Sequence, residues 1–227
     1  MGDICKLAVS QPVLVTQSNK IFAKRYMKRY SSLYPNHVHQ VAVSVSKHLY
    51  STRLGKLKFQ IKPFDVSLLD PPAEKEHIVI FAIRDHCSGI SYAEVRPRSQ
   101  LGTLRGFLGR AWAQKATHPF CGVPEILLYS KTMEATFPGT GKAVEDLGVQ
   151  VLSVASGFQT NIGDIRVVES RLKLMDGEPI TALQTFGQDW SAQSASEVSR
   201  VSGKTKLDLW NSCTREIFVP SELWGTT

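Results

Sequence analysis

The residue types that most often carry chemistry are thinly spread along this chain. Cys5, Cys87, Cys121 and Cys213 lie far apart with no CxxC pair, so the paired thiolates of a structural zinc site are missing. His37 and His39 stand two residues apart without cysteines beside them and are read as surface histidines, so no metal site is expected there. A denser signal is basic. Lys24, Arg25, Lys28 and Arg29, with Lys20, alternate with Ile21, Phe22, Tyr26 and Tyr30. That pattern suits a helix capped by Ser18. Its basic face fits a phosphate backbone, and it equally fits a solvated face packed by its aromatic side. The net charge of +7 and pI near 9.3 make nucleic acid or an acidic partner a plausible class of ligand.

The elements that must position such groups become clear after residue 56. Residues 1–17 are apolar and mixed. Tyr34-Pro35-Asn36 breaks the basic helix, and Val38 to Val45 fits a strand by alternation and a helix by composition. Leu57, Phe59 and Ile61 alternate with Lys58, Gln60 and Lys62, as in a half-buried strand. His77 to Ile83 reads as a buried strand, Asp85 to Gly89 as a hairpin turn and Ile90 to Val95 as the returning strand. Helices are expected over 100–116, 141–147 and 162–175, and strands over 125–129 and 149–154. Residues 188–204 are rich in Ser and Gln and read as a linker. The tail beyond holds Trp210 and Trp224. With Trp190 these are the candidates for contact with a partner chain, the other reading being that the tail docks on its own core. The implied organisation is a basic segment over 1–55, a core over 56–180 and a C-terminal linker and tail over 181–227. The order of elements implies an antiparallel meander joined to parallel strands by crossover helices.

Three segments carry a resemblance. IVIFAIRDHCSGISYAEVRP, GVPEILLYSKTMEATF and SGFQTNIGDIRVVESRLK resemble, in order and separation, segments of retroviral integrases and bacterial transposases of the ribonuclease-H-like superfamily. Together they cover roughly residues 56–175. The resemblance implies an α/β fold: a ribonuclease-H-like mixed five-stranded sheet, a hairpin meander plus parallel strands, flanked by helices. It also implies a homodimer and a recombinase or mobile-element partner.

The chemistry of that family uses two Asp and one Glu to hold two divalent ions. In this chain the matching positions carry Lys62, Ser130 and Arg166. Cations there repel a divalent metal. The resemblance therefore implies a catalytically silent domain with no metal and no cofactor. Lys62, Ser130, Lys131, Thr132 and Arg166 would instead hold a phosphate of DNA, or of RNA, through cation contacts and hydroxyl hydrogen bonds. Of the nearby acids, Glu169 lies one helical turn beyond Arg166 on nearly the same face, while Asp164 points away, Asp65 faces the other side of its strand, Asp85 reads as a turn former and Glu134 as a structural neighbour. An active nuclease or strand transferase would need several of them displaced into one site. A scaffold or dimerisation role without nucleic acid is the remaining reading. No 18-residue apolar stretch occurs and residues 1–30 lack a signal-peptide run, so a cytoplasmic, reduced protein is expected.

Overall fold

The computed structural model describes residues 32–66, 75–154, 162–199 and 202–213. Its centre is one mixed sheet. Strand β1 (Val38–Ser51) is the middle strand, flanked by β3 (Glu76–Asp85) and then β4 (Ser91–Pro97) on one side. On the other side lie β5 (Ile126–Ser130) and then β6 (Gln150–Val154). β3 and β4 are antiparallel to their neighbours, while β5 runs parallel to β1 and β6 parallel to β5. A short sixth strand, β2 (Leu57–Phe59), pairs antiparallel with the far end of β1. The strand order β4-β3-β1-β5-β6, a meander continued by parallel strands, is the arrangement expected from the sequence.

The identity of the first strand differs from the sequence reading. Residues 57–61 are not the central strand; residues 38–51 are. A strand buried on both faces does not alternate cleanly, and Val41, Val43 and Val45 point to one face while Ala42 and Ser44 share the other with Ala82 and Ile80. Leu57 and Phe59 do alternate, because β2 is a short edge strand with exposed Lys58 between them.

Helices cover both faces. α1 (Leu104–Trp112) buries Leu104, Phe107, Leu108, Ala111 and Trp112 against Val41, Val45, Val79 and Phe81, with Thr103 capping its first turn. The short helices α2 (Lys131–Thr136) and α3 (Thr140–Glu145) add Met133 and Val144 to that layer. On the opposite face, α4 (Ile162–Arg171) packs Ile165 and Val168 on Ala42, Ile80 and Ala82.

Two further helices replace the expected linker and tail. α5 (Ala182–Ser196) lies across the edge strand β4, and α6 (Lys206–Asn211) follows a turn capped by Thr205 and Asp208. Small residues permit the close approach of α5: a Cβ on Gly187 would lie 3.1 Å from the Ala93 carbonyl oxygen, and Ser191 Oγ accepts a hydrogen bond from Ala93 N at 3.0 Å. Trp190 and Trp210 are buried, Trp210 stacking on Phe120. These two tryptophans therefore serve the chain's own core rather than a partner, and Trp224 lies outside the described residues. The boundaries expected at 55/56 and 180/181 fall inside one packed unit, because β1 is its middle strand and α5 and α6 cover its core.

Candidate functional site

The parallel pair β1–β5 sets the geometry where the carboxylate positions were expected. Its register pairs Val38 with Ile126, His39 with Leu127 and Gln40 with Leu128. Continued by two residues, it sets Ala42 opposite Ser130 at the end of β5. Because side chains alternate, Gln40, Ala42 and Ser44 face α4. The whole strand Val38–Ser51, VHQVAVSVSKHLYS, contains no Asp or Glu. Ser130 is the N-cap of α2, its hydroxyl accepting from Met133 N at 3.2 Å. Lys131 and Thr132 follow it, both exposed, in the first turn.

Lys62 does not join them. Gln60 N bonds to His48 O and Phe64 N to Lys47 O, so residue 62 lies beside the far half of β1. That is five to six residues, about 16–20 Å along the strand, from the position opposite Ser130, at ~3.3 Å per residue. The expected cluster of Lys62 with Ser130 is thus corrected: residues 57–59 form the edge strand β2, while β1 is the central strand. Arg166 is exposed on α4, between the buried Ile165 and Val168. Lys24, Arg25, Lys28 and Arg29 lie outside the described residues.

Three of the acids near this face, Glu169, Asp164 and Glu134, are committed elsewhere. Glu169 accepts from Ser46 Oγ and Lys47 N, both at 2.8 Å, and so ties α4 to β1. Asp164 accepts from Ser91 Oγ at 2.5 Å and pairs with Arg84 at 3.4 Å, tying α4 to the β3–β4 hairpin. Glu134 takes the Tyr129 hydroxyl and the Gly139 and Gly141 backbone N–H groups, which hold its carboxyl below the usual range, the tyrosine bond contributing most. Asp65 is exposed. Among the described residues no group of three or more His, Cys, Asp or Glu is placed to hold a metal ion. The side chains beside Ser130 are the Gln40 amide, the Ala42 methyl, which has no donor atom, and the Ser44 hydroxyl, a neutral set that does not fit a pair of hard divalent cations.

Two polar networks escaped the sequence reading. His37 and His39 are buried, not on the surface. Trp112 Nε1–H donates to His39 Nδ1 at 3.2 Å, which leaves Nε2–H to donate to Asn36 Oδ1 at 3.0 Å. Asp85, fully buried, accepts from Asn36 N, Ser88 N and Ser88 Oγ. The network pins the start of β1 to the β3–β4 turn, with Asn36 in a left-handed conformation at φ 67°. The aspartate was legible as a turn former; its burial was not.

The second network lines a cavity of about 640 Å³ between β4, the end of α1 and α5. Glu94 is held there by Arg96 at 2.8 Å, by Arg110 at 2.9 and 3.0 Å, and by the Tyr92 hydroxyl at 2.9 Å. Lys115 caps α1 by donating to the carbonyls of Arg110, Ala111 and Ala113, and burial lowers its pKa to about 8. The charges of this cavity are therefore largely consumed within the fold.

No protein-family model matches the chain, and no curated protein matches it. Solved structures similar to it include the HTLV-2 integrase catalytic core domain in complex with magnesium. The dimeric form is 11% identical, with a TM-score of 0.46 over 81% of this chain and 100% of that one. The trimeric form is 13% identical, with a TM-score of 0.46 over 79% and 99%. A simian T-cell lymphotropic virus intasome in complex with PP2A regulatory subunit B56 gamma is 13% identical, with a TM-score of 0.48. That match covers 87% of this chain and 64% of the other.

No helix among the described residues is long and apolar enough to cross a membrane.

Proposed function

We propose that this chain is an integrase- or transposase-like domain that binds a nucleic-acid backbone without cutting or joining it, as an accessory of DNA integration or transposition. The observation that carries the reading is the central strand: β1 has no carboxylate along its 14 residues. A two-ion site on this fold needs an acid there, next to one at the end of β5. In this chain Ala42 and the capping Ser130 occupy those places. Glu169 and Asp164 remain on α4, but each is engaged in holding the helix to the sheet. The basic balance of the chain supports nucleic acid as the ligand. Lys131, Thr132 and Arg166 are exposed and belong to the same proposed contact. The homodimer expected from the resemblance is part of this reading, and light scattering tests it.

Binding of a labelled duplex is measured by anisotropy, and the same mixture is run on a denaturing gel after incubation with Mg²⁺ or Mn²⁺. Salt-sensitive binding with an intact duplex is expected. Cleavage that is lost in Glu169→Gln would overturn the non-catalytic reading, and absence of binding at low salt would overturn the nucleic-acid reading.

A further inference from the structure

Charge is divided sharply along this chain. Residues 1–64 carry eleven Lys and Arg against one carboxylate, Asp3, whereas residues 65–227 carry sixteen against nineteen. The whole positive excess thus resides in the first part of the sequence. Within the described residues, that part contributes Lys47, Arg53, Lys56, Lys58 and Lys62, all exposed, on and beside the β1–β2 hairpin. None of the five takes part in an ion pair among the described residues. Arg84, Arg96, Arg110, Lys142, Arg171 and Lys206 are each paired with a carboxylate, whereas Lys131, Arg166 and Lys173 stand singly on other parts of the surface. The hairpin's five cations form no salt bridge among the described residues, and they stand on one stretch of surface, with the exposed Asp176 and Glu178 as the neighbouring acids.

We propose that the β1–β2 hairpin, through Lys47, Arg53, Lys56, Lys58 and Lys62, is the surface that holds the phosphate backbone of duplex DNA. This rests on the nucleic-acid reading above and moves its main contact away from the turn at Ser130. Lys56, in the bridge just before β2, and Lys58 within it are alternate residues and so project to one face, about 6.6–6.8 Å apart.

The hairpin's outer edge is closed to a partner strand. Leu57 N bonds to Glu178 O, Gly177 N to Leu57 O, Ile180 N to Gly55 O and Phe59 N to Asp176 Oδ1. With the backbone satisfied, the side-chain cations are the chemistry left to a ligand. The nearby Asp176 and Glu169 carboxylates are turned onto backbone N–H groups. Leu54 and Ile61, 89% and 91% exposed, are separated by this basic stretch rather than joined into one apolar patch. That arrangement favours a polyanion over insertion into a lipid surface.

The test compares the full chain with Arg53→Gln/Lys56→Gln/Lys58→Gln and with Lys131→Gln/Arg166→Gln, using a random-sequence duplex between about 50 and 200 mM salt. Each lost phosphate contact removes about 0.9 from the slope of log K against log salt. The hairpin variant is expected to flatten the slope by about 2.7 and to retain the wild-type circular dichroism and melting temperature, since all three residues are exposed. The other variant is expected to change it less. Wild-type binding with an unchanged hairpin variant would overturn the hairpin assignment and leave the nucleic-acid reading standing; no wild-type binding would overturn both. Hairpin-dependent binding to phosphatidylserine vesicles, without binding to the duplex, would assign the surface to a membrane and overturn the proposal.

Discussion

Acid should loosen this fold through His118. Its ring is buried, Nε2–H donates to the Ser191 carbonyl at 3.1 Å, and Nδ1 accepts from Phe120 N at 3.1 Å. Both nitrogens are thus used by the neutral ring, and a protonated ring would lose the Phe120 bond. Burial lowers the pKa from 6.5 to about 4. A base whose folded pKa is depressed binds more protons when unfolded, so it contributes stability above pH 6.5 and loses it as pH falls toward 4. Between about pH 7.5 and pH 5 the loss from this group is about 2 kcal/mol, at 1.36 kcal/mol per pKa unit. His77 and His86 are shifted down too, burial being the first cause for each, and they add to the same trend. The contribution of His118 is isolated by comparing the wild type with His118→Gln in urea unfolding at both pH values. Gln keeps an N–H for Ser191 and cannot be protonated. The variant is expected to show about 2 kcal/mol less pH dependence than the wild type. An identical pH dependence in both proteins would refute this account of the ring's environment.

Other outcomes follow from packing and capping. Gly187→Ala places a Cβ 3.1 Å from the Ala93 carbonyl oxygen and 3.4 Å from Val95 N, so α5 must move off β4. Overpacking of about 1–3 kcal/mol against a helix-propensity gain of about 1 gives a net loss of about 1 kcal/mol, read as a lower urea midpoint. Ser130→Ala removes the cap of α2 and is expected to cost about 1 kcal/mol. Ser130→Asp keeps a good cap, so it should unfold at the wild-type denaturant concentration and, with no acid on β1, still bind no Mn²⁺ by calorimetry. Trp210→Ala empties a buried site stacked on Phe120; thermal melting should report a loss of about 3 kcal/mol.

The parts of the fold that were legible in the sequence are those whose burial is one-sided or whose turns are marked. The β3–β4 hairpin announced itself through Asp85-His86-Cys87-Ser88-Gly89, and α1 and α4 through apolar stripes. β1 was ambiguous because it is covered on both faces and carries no simple period. α5 was hidden for a different reason: much of its buried face is Gly187, Ser191, Ser194 and Ala195, small residues chosen by proximity to β4 rather than by hydrophobicity. The error in β1 carried into the site. Once residues 57–61 stood for the central strand, Lys62 took the place of a carboxylate, although the structure sets it beside Lys47 and His48. Ser130 was legible as a residue type in the sequence; its role as the N-cap of α2 was not. His39 and Asp85 were visible as residue types only, since their burial depends on contacts with Asn36, Ser88 and Trp112 from distant segments.

The central claim is that a sheet whose middle strand has no carboxylate does not assemble a two-ion site. Calorimetric titration of the full chain with Mn²⁺ addresses it directly. The expected result is no heat of specific binding, in the wild type and in Glu169→Gln alike. Saturable binding at micromolar Mn²⁺ that disappears in Glu169→Gln would contradict the claim.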